Sequence, residues 1–114
     1  MTTIYGIKNC DTVKKARKWL DQNGIEAHFH DFRDDGLTKE QVEMWTKQVG
    51  WEVLLNKRST TWKQLDSTVR EQIDQNSAIA AILEHPTLIK RPVLEAQGEL
   101  LVGFKAEQYS SLFG

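Results

Sequence analysis

The chain is short of sulfur: Cys10 is the one cysteine among 114 residues, with two methionines beside it. A single cysteine excludes an intramolecular disulfide, a CxxC dithiol and any metal site built from several thiolates. It also fits a reducing compartment. Charge of one sign is missing too. Lys and Arg number 15 against 16 Asp and Glu, a net charge of −1, so no global field gathers nucleic acid or an anionic membrane. A local basic patch stays compatible with that balance. No apolar run approaches the length of a membrane span or a secretory signal, and the opening residues MTTIYGIKNC have the wrong flanks for either. The expected location is the cytoplasm, with no direct nucleic-acid partner and no membrane partner. Repeats, low-complexity stretches and linkers are absent.

What is present suits a single domain over residues 1–114. Hydrophobic residues make up 39% and charged residues 27%, a balance that supports a core with a solvated exterior. Nothing asks for an obligate assembly, so a monomer is expected.

Residues 3–7 (TIYGI) are β-branched and aromatic and read as a buried strand. A polar turn, residues 8–12, leads into Val13, Ala16 and Leu20, the stripe of an amphipathic helix, which Asn23-Gly24 ends. Ile25, Ala27 and Phe29 then alternate with polar residues, predicting a second strand over 25–32. Strand, helix and strand within about thirty residues make a βαβ unit, whose crossover is right-handed.

Helical signals follow. Thr38 and Gln41 form a capping box before Val42, Trp45 and Val49, and Gly50 ends that helix. Residues 56–61 (NKRSTT) read as a polar loop. Val69 and Ile73 suggest a short helix, and Ile79, Ile82 and Leu83 a firmer one from about Asn76, stopped by Pro86. Residues 88–94 lead into a strand, Gln97-Gly98 signals a hairpin, and residues 100–104 form its partner. Tyr109, Leu112 and Phe113 predict a last helix over the sheet. The expected architecture is α/β: βαβ, a helical insertion, then ββα, on a mixed sheet.

Chemistry concentrates at Cys10. It follows a strand and opens a helix, whose first turn carries partial positive charge and free N–H groups that stabilise a thiolate. Lys8 precedes it, and Lys14 and Lys15 stand one turn on. Against this, buried free cysteines often serve as small hydrophobes, and Asp11 beside the sulfur disfavours a thiolate unless it points away. Lys14 and Lys15 also continue into Arg17 and Lys18, the pattern of a solvated helix face. His28 and His30 lack a cysteine or carboxylate at ligand spacing on their element, so half-buried strand histidines are expected rather than a zinc site. Trp19, Trp45, Trp51 and Trp62 read as packing residues.

Residues 5–16 (YGIKNCDTVKKA) resemble the start of the arsenate reductase (ArsC) family that couples to glutathione and glutaredoxin. Residues 84–93 (EHPTLIKRPV) resemble that family's HP-x-L-I-x-RP-I motif, and residues 54–59 (LLNKRS) fall where it places an arginine-bearing loop. Within the family the likeness is to the branch of the YffB proteins and the Spx regulators. The resemblance implies a thioredoxin-like fold with a helical insertion and a cis Arg91–Pro92 bond beside the active Cys10. It implies Arg91, Arg58, Lys14, Lys8 and Asn56 as groups that stabilise substrate or thiolate, and Arg91 with Pro92 as the glutathione-binding pair. No bound cofactor is implied; glutathione is the co-substrate and glutaredoxin a further possible partner. Arsenate reductases hold their oxyanion with three arginines. Here Arg91 matches one, Asn56 occupies the second position with Arg58 two residues on, and Gly103 occupies the third, while Gly6 stands at the position of a family histidine. The expected function is therefore a glutathione-dependent monothiol reductase acting through a Cys10 mixed disulfide. Two alternatives are a non-catalytic Spx-like regulator that binds RNA polymerase and a true arsenate reductase.

Overall fold

The computed structural model describes residues 2–114. In chain order its elements are β1 (Thr3–Gly6), α1 (Asp11–Gln22), β2 (His28–Asp31), α2 (Lys39–Val49), α3 (Trp51–Leu54), α4 (Thr60–Gln64), α5 (Ser67–Glu71), α6 (Gln75–Glu84), β3 (Val93–Ala96), β4 (Glu99–Val102) and α7 (Ala106–Phe113). They form two compact units. The first takes the residues up to Gly36 and returns with Arg91–Gly114; the second is Leu37–Lys90.

The first unit carries a mixed four-stranded sheet in the order β2-β1-β3-β4. β1 runs parallel to β2, with Gly6 opposite Asp31 as the last pair, and antiparallel to β3, with Tyr5 opposite Val93. β3 and β4 form a hairpin in which Ala96 faces Glu99. Its two turn residues, Gln97 and Gly98, both have positive φ, 54° and 77°, as a twist-matched type I′ turn requires. This is the α/β arrangement expected from the order of elements.

The apolar spacing of α1 explains where the core lies. Val13, Ala16 and Leu20 are buried, and Ala16 and Leu20 pack with Ile4, Leu94 and Tyr109. Each fully buried Val, Leu or Ile here contributes about 1.5–3 kcal/mol relative to exposure. At the far end of α1 the Gly24 N–H bonds the Asp21 carbonyl at 3.1 Å and the Ile25 N–H bonds that of Leu20 at 2.9 Å. That pairing is a Schellman motif. It brings Ile25 back against the core, so residues 25–27 spend their apolar groups on packing. The ladder accordingly starts only at His28, three residues later than the alternation predicts.

In the second unit Thr38 and Gln41 form the expected capping box on α2, and Asp74 with Ser77 forms another on α6. The polar stretch 56–61 is not all loop: Ser59 accepts the Trp62 N–H and starts α4 at Thr60. Short side chains that cap a helix read as loop when no long apolar stripe follows them. A 3₁₀ turn, Pro86–Leu88, follows α6. Leu55 and Ile89 then make an isolated antiparallel bridge. Among the described residues no helix is long and apolar enough to cross a membrane.

Candidate functional site

The site grows from the end of β1. Gly6 allows it: a Cβ there would stand 2.6 Å from Cγ2 of Val13, so the absent side chain lets the first turn of α1 pack directly on the strand. Between them runs a four-residue loop, Ile7 to Cys10. Ile7 is buried, and the Cys10 N–H returns to the Ile7 carbonyl at 3.3 Å. Cys10 is the N-cap of α1, with extended backbone (φ −91°, ψ 124°), and its side chain makes no capping hydrogen bond. Its carbonyl accepts the Lys14 N–H at 3.0 Å. The thiol is free and half-buried. It is neither sealed in the core nor fully solvated, and it stands at the helix end where unpaired N–H groups collect.

Arg91 and Pro92 lie at the same end of the sheet. The register Tyr5 to Val93 carries the residues just before Val93 past the C-terminal end of β1. The Arg91–Pro92 bond is cis, as the family resemblance implies. Pro92 is buried and Arg91 half-buried. The Pro92 carbonyl accepts the Gly103 N–H at 2.8 Å.

The cations predicted around the sulfur have different fates. Lys8 Nζ donates to Asp34 Oδ2 at 2.6 Å. That hydrogen bond, the charge of Asp34 and the more distant Asp31 and Asp35 hold Lys8 above its ordinary 10.5. Lys8 thus stays a cation on the loop before Cys10, paired at the surface with Asp34. Lys14 is exposed on the first turn of α1, with Asp11 beside it. Asn56 and Arg58 belong to the second unit. There the Asn56 side-chain oxygen accepts the Arg58 N–H at 3.1 Å, and the Asn56 carbonyl accepts the Ser59 hydroxyl at 2.9 Å. Asn56 therefore shapes the turn that carries Arg58. Lys57 Nζ stands 5.9 Å from the Trp51 ring centroid and 5.6 Å from that of Trp62. His28 is exposed rather than half-buried, whereas His30 is half-buried and its Nε2 pairs with the Gly36 carbonyl at 2.7 Å.

Sequence reasoning passed over Asp31. It is 4% exposed and accepts three backbone N–H groups: Arg33 at 2.7 Å, Asp34 at 3.3 Å and Lys8 at 3.2 Å. Burial opposes its ionisation, but the bonds from Arg33, Asp34 and Lys8 outweigh it and keep the carboxyl below its ordinary 3.8. The one available signal was an Asp ending a strand at an Asp-rich turn, which ordinarily marks a solvated turn.

The model of the ArsC family matches residues 5–112. A solved YffB protein is 42% identical, with a TM-score of 0.94 over 97% of both chains. An arsenate reductase (ArsC) related protein from Brucella melitensis is 50% identical, with a TM-score of 0.80, covering 98% of this chain and 93% of that one. The global transcriptional regulator Spx 2 of Bacillus anthracis is 24% identical over 110 residues, 95% of this chain and 83% of the regulator.

Proposed function

This chain belongs to the ArsC family, with its thioredoxin-like α/β fold, and we propose that within it the protein is a cytoplasmic glutathione-dependent monothiol reductase. One observation carries the reading: a lone, half-buried sulfur at the N-terminus of α1, on the end of the sheet that also holds Arg91 and Pro92.

The chemistry needs one cysteine. The Cys10 thiolate attacks the glutathione sulfur of a mixed disulfide, protein–S–S–G. A Cys10–S–S–G bond forms as the substrate leaves as a thiolate. A glutathione thiolate then attacks the Cys10-bound glutathione, releasing Cys10 as thiolate and glutathione disulfide. The incoming glutathione thiol is thereby oxidised to the disulfide level and one substrate sulfur is reduced to a thiol, while the glutathione that was already in the mixed disulfide keeps its oxidation state. Glutaredoxin is the alternative source of the resolving thiol. The guanidinium of Arg91 is suited to a glutathione carboxylate, which its planar fork engages bidentately. Pro92 has no N–H, and its carbonyl already accepts from Gly103, so backbone pairing with glutathione falls to the peptide groups of Arg91.

Incubation with oxidised glutathione followed by mass spectrometry tests the reading. One glutathione adduct mapped to Cys10, lost in Cys10→Ser, is the expected result. No adduct on the folded wild-type protein would overturn it. A second reading, favoured by the likeness to the Spx regulator, is a non-catalytic module that docks on RNA polymerase. It predicts co-purification with polymerase and no glutathione-dependent turnover.

A further inference from the structure

We propose that Asp31 is a positioning residue for Cys10, holding the loop that presents the thiol through the backbone of Lys8. The inference rests on Cys10 being the reactive group of the proposed function, and it adds the device that keeps that group in place.

The burial of Asp31 is the observation that calls for a role. Carboxylates are seldom fully buried unless paired. Asp31 is 4% exposed, yet its carboxylate makes no ion pair within 4 Å among the described residues: Lys8, whose charge favours its ionised form, bonds Asp34. Its oxygens are spent on backbone. Oδ1 accepts Arg33 and Asp34 within its own turn, which an exposed Asp or Asn at a turn also does. Oδ2 does something a turn does not need: it reaches 23 residues back along the chain to the Lys8 N–H.

That bond falls where the ladder runs out. Gly6 and Asp31 are the last residue pair of β1 and β2, and the Phe32 N–H still reaches the Gly6 carbonyl at 2.9 Å. In a regular parallel ladder the next rung would take the Lys8 N–H to the carbonyl of residue 32. The Asp31 carboxylate takes that N–H instead. The chain from β1 to the thiol is therefore held at Gly6 by the ladder, at Lys8 by Asp31 and at Cys10 by the Ile7 carbonyl. Asp35 Oδ2 in turn accepts the Asp31 N–H at 3.0 Å, and the Lys8–Asp34 pair closes the same two segments a second time. Asp31 does not touch the sulfur; it decides whether the sulfur stays at the helix end.

Asp31→Asn tests this on the whole protein. The amide keeps the shape and one carbonyl oxygen. That oxygen turns to Arg33 and Asp34, and an NH2 then faces the Lys8 N–H. Two quantities are read in native buffer: hydrogen exchange of the Lys8 amide by NMR, and the rate of Cys10 alkylation by iodoacetamide. Lys8 exchange is expected to rise about tenfold, the loss of one hydrogen bond to a charged group. Alkylation is expected to fall about threefold as the thiol leaves the helix terminus. Val42→Ala, a buried residue of the second unit, supplies a protein destabilised without touching the loop. An alkylation change no larger in Asp31→Asn than in Val42→Ala would overturn the proposal. If Asp31→Asn does not fold, wild-type exchange decides: a Lys8 amide no slower than that of exposed Asn9 also overturns it. Iodoacetamide reads the thiol without glutathione, so a missing glutathione adduct sinks the proposed function, and an unchanged alkylation rate sinks only the role of Asp31.

Discussion

Gly6 and Val13 are in contact across the β1–α1 junction with no room for a side chain between them: a Cβ on Gly6 would meet Val13 at Cγ2, Cγ1 and Cβ, at 2.6, 3.3 and 3.5 Å. Val13 is fully buried and stiff at χ1, so relief requires the helix itself to move. Gly6→Ala is expected to destabilise the protein by about 1–3 kcal/mol, the usual cost of overpacking. Urea denaturation would show it as a lower midpoint at unchanged slope. Gly6→Ala combined with Val13→Ala should cost less than the sum of the two single losses, a favourable coupling between touching residues. Additive losses would show that the contact is not the cause.

Asp31 links stability to acid. Its folded carboxyl titrates below the ordinary 3.8, so its contribution is complete above that value, where folded and unfolded chains are both ionised. As pH falls through 3.8 the unfolded chain binds the proton first, and the stabilisation drains until the folded carboxyl is protonated as well. Urea midpoints measured from about pH 6 down to about pH 2 should fall along this limb. Asp31→Asn should lower the plateau and flatten the limb. Asp74, held low by its bonds to Ser77, acts in the same direction and remains in the variant.

Tyr109 is fully buried in the first unit, and its hydroxyl has no hydrogen-bond partner among the described residues. Burial alone raises its phenol above the ordinary 10. The ring is held by edge contacts to Trp19, with centroids 5.6 Å apart, and to Phe104, 4.9 Å apart. Tyr109→Phe keeps those contacts and removes a desolvated hydroxyl. The variant should match the wild type or gain up to about 1 kcal/mol, read from a thermal melt. A loss of stability would reveal a partner for the hydroxyl.

Asn56→Ala removes the acceptor of the Arg58 N–H and should cost about 0.5–1.5 kcal/mol. Asn56→Asp keeps an acceptor at that place and should stay near the wild type. Equal losses in both, compared by thermal melts, would assign Asn56 a role carried by its amide NH2 instead.

The elements legible in the sequence are those whose signals are local. The stripe Val13, Ala16, Leu20 announces α1, Thr38 with Gln41 announces the start of α2, and Gln97-Gly98 announces the hairpin. Cys10 at a strand–helix junction was visible for the same reason. The second predicted strand starts later than its pattern implies: Ile25 and Ala27 alternate as a strand does, while the Schellman motif turns Ile25 onto the core. Periodicity records which residues are buried, not which backbone groups they pair.

By itself, then, the sequence determined the order of strands and helices and the one sulfur available for chemistry. Both follow from interactions reaching no further than a helical turn or a strand's alternation. Tertiary structure alone decided that Lys8 pairs with Asp34, that Gly6 must stay bare against Val13, and that Asp31, at the end of β2, is buried and bonded to the loop before Cys10. Those facts depend on the register of β1 with β2 and on the closeness of a helix to a strand. That register joins residues more than twenty positions apart, so it depends on the patterns of two segments meeting and cannot be read from either one alone.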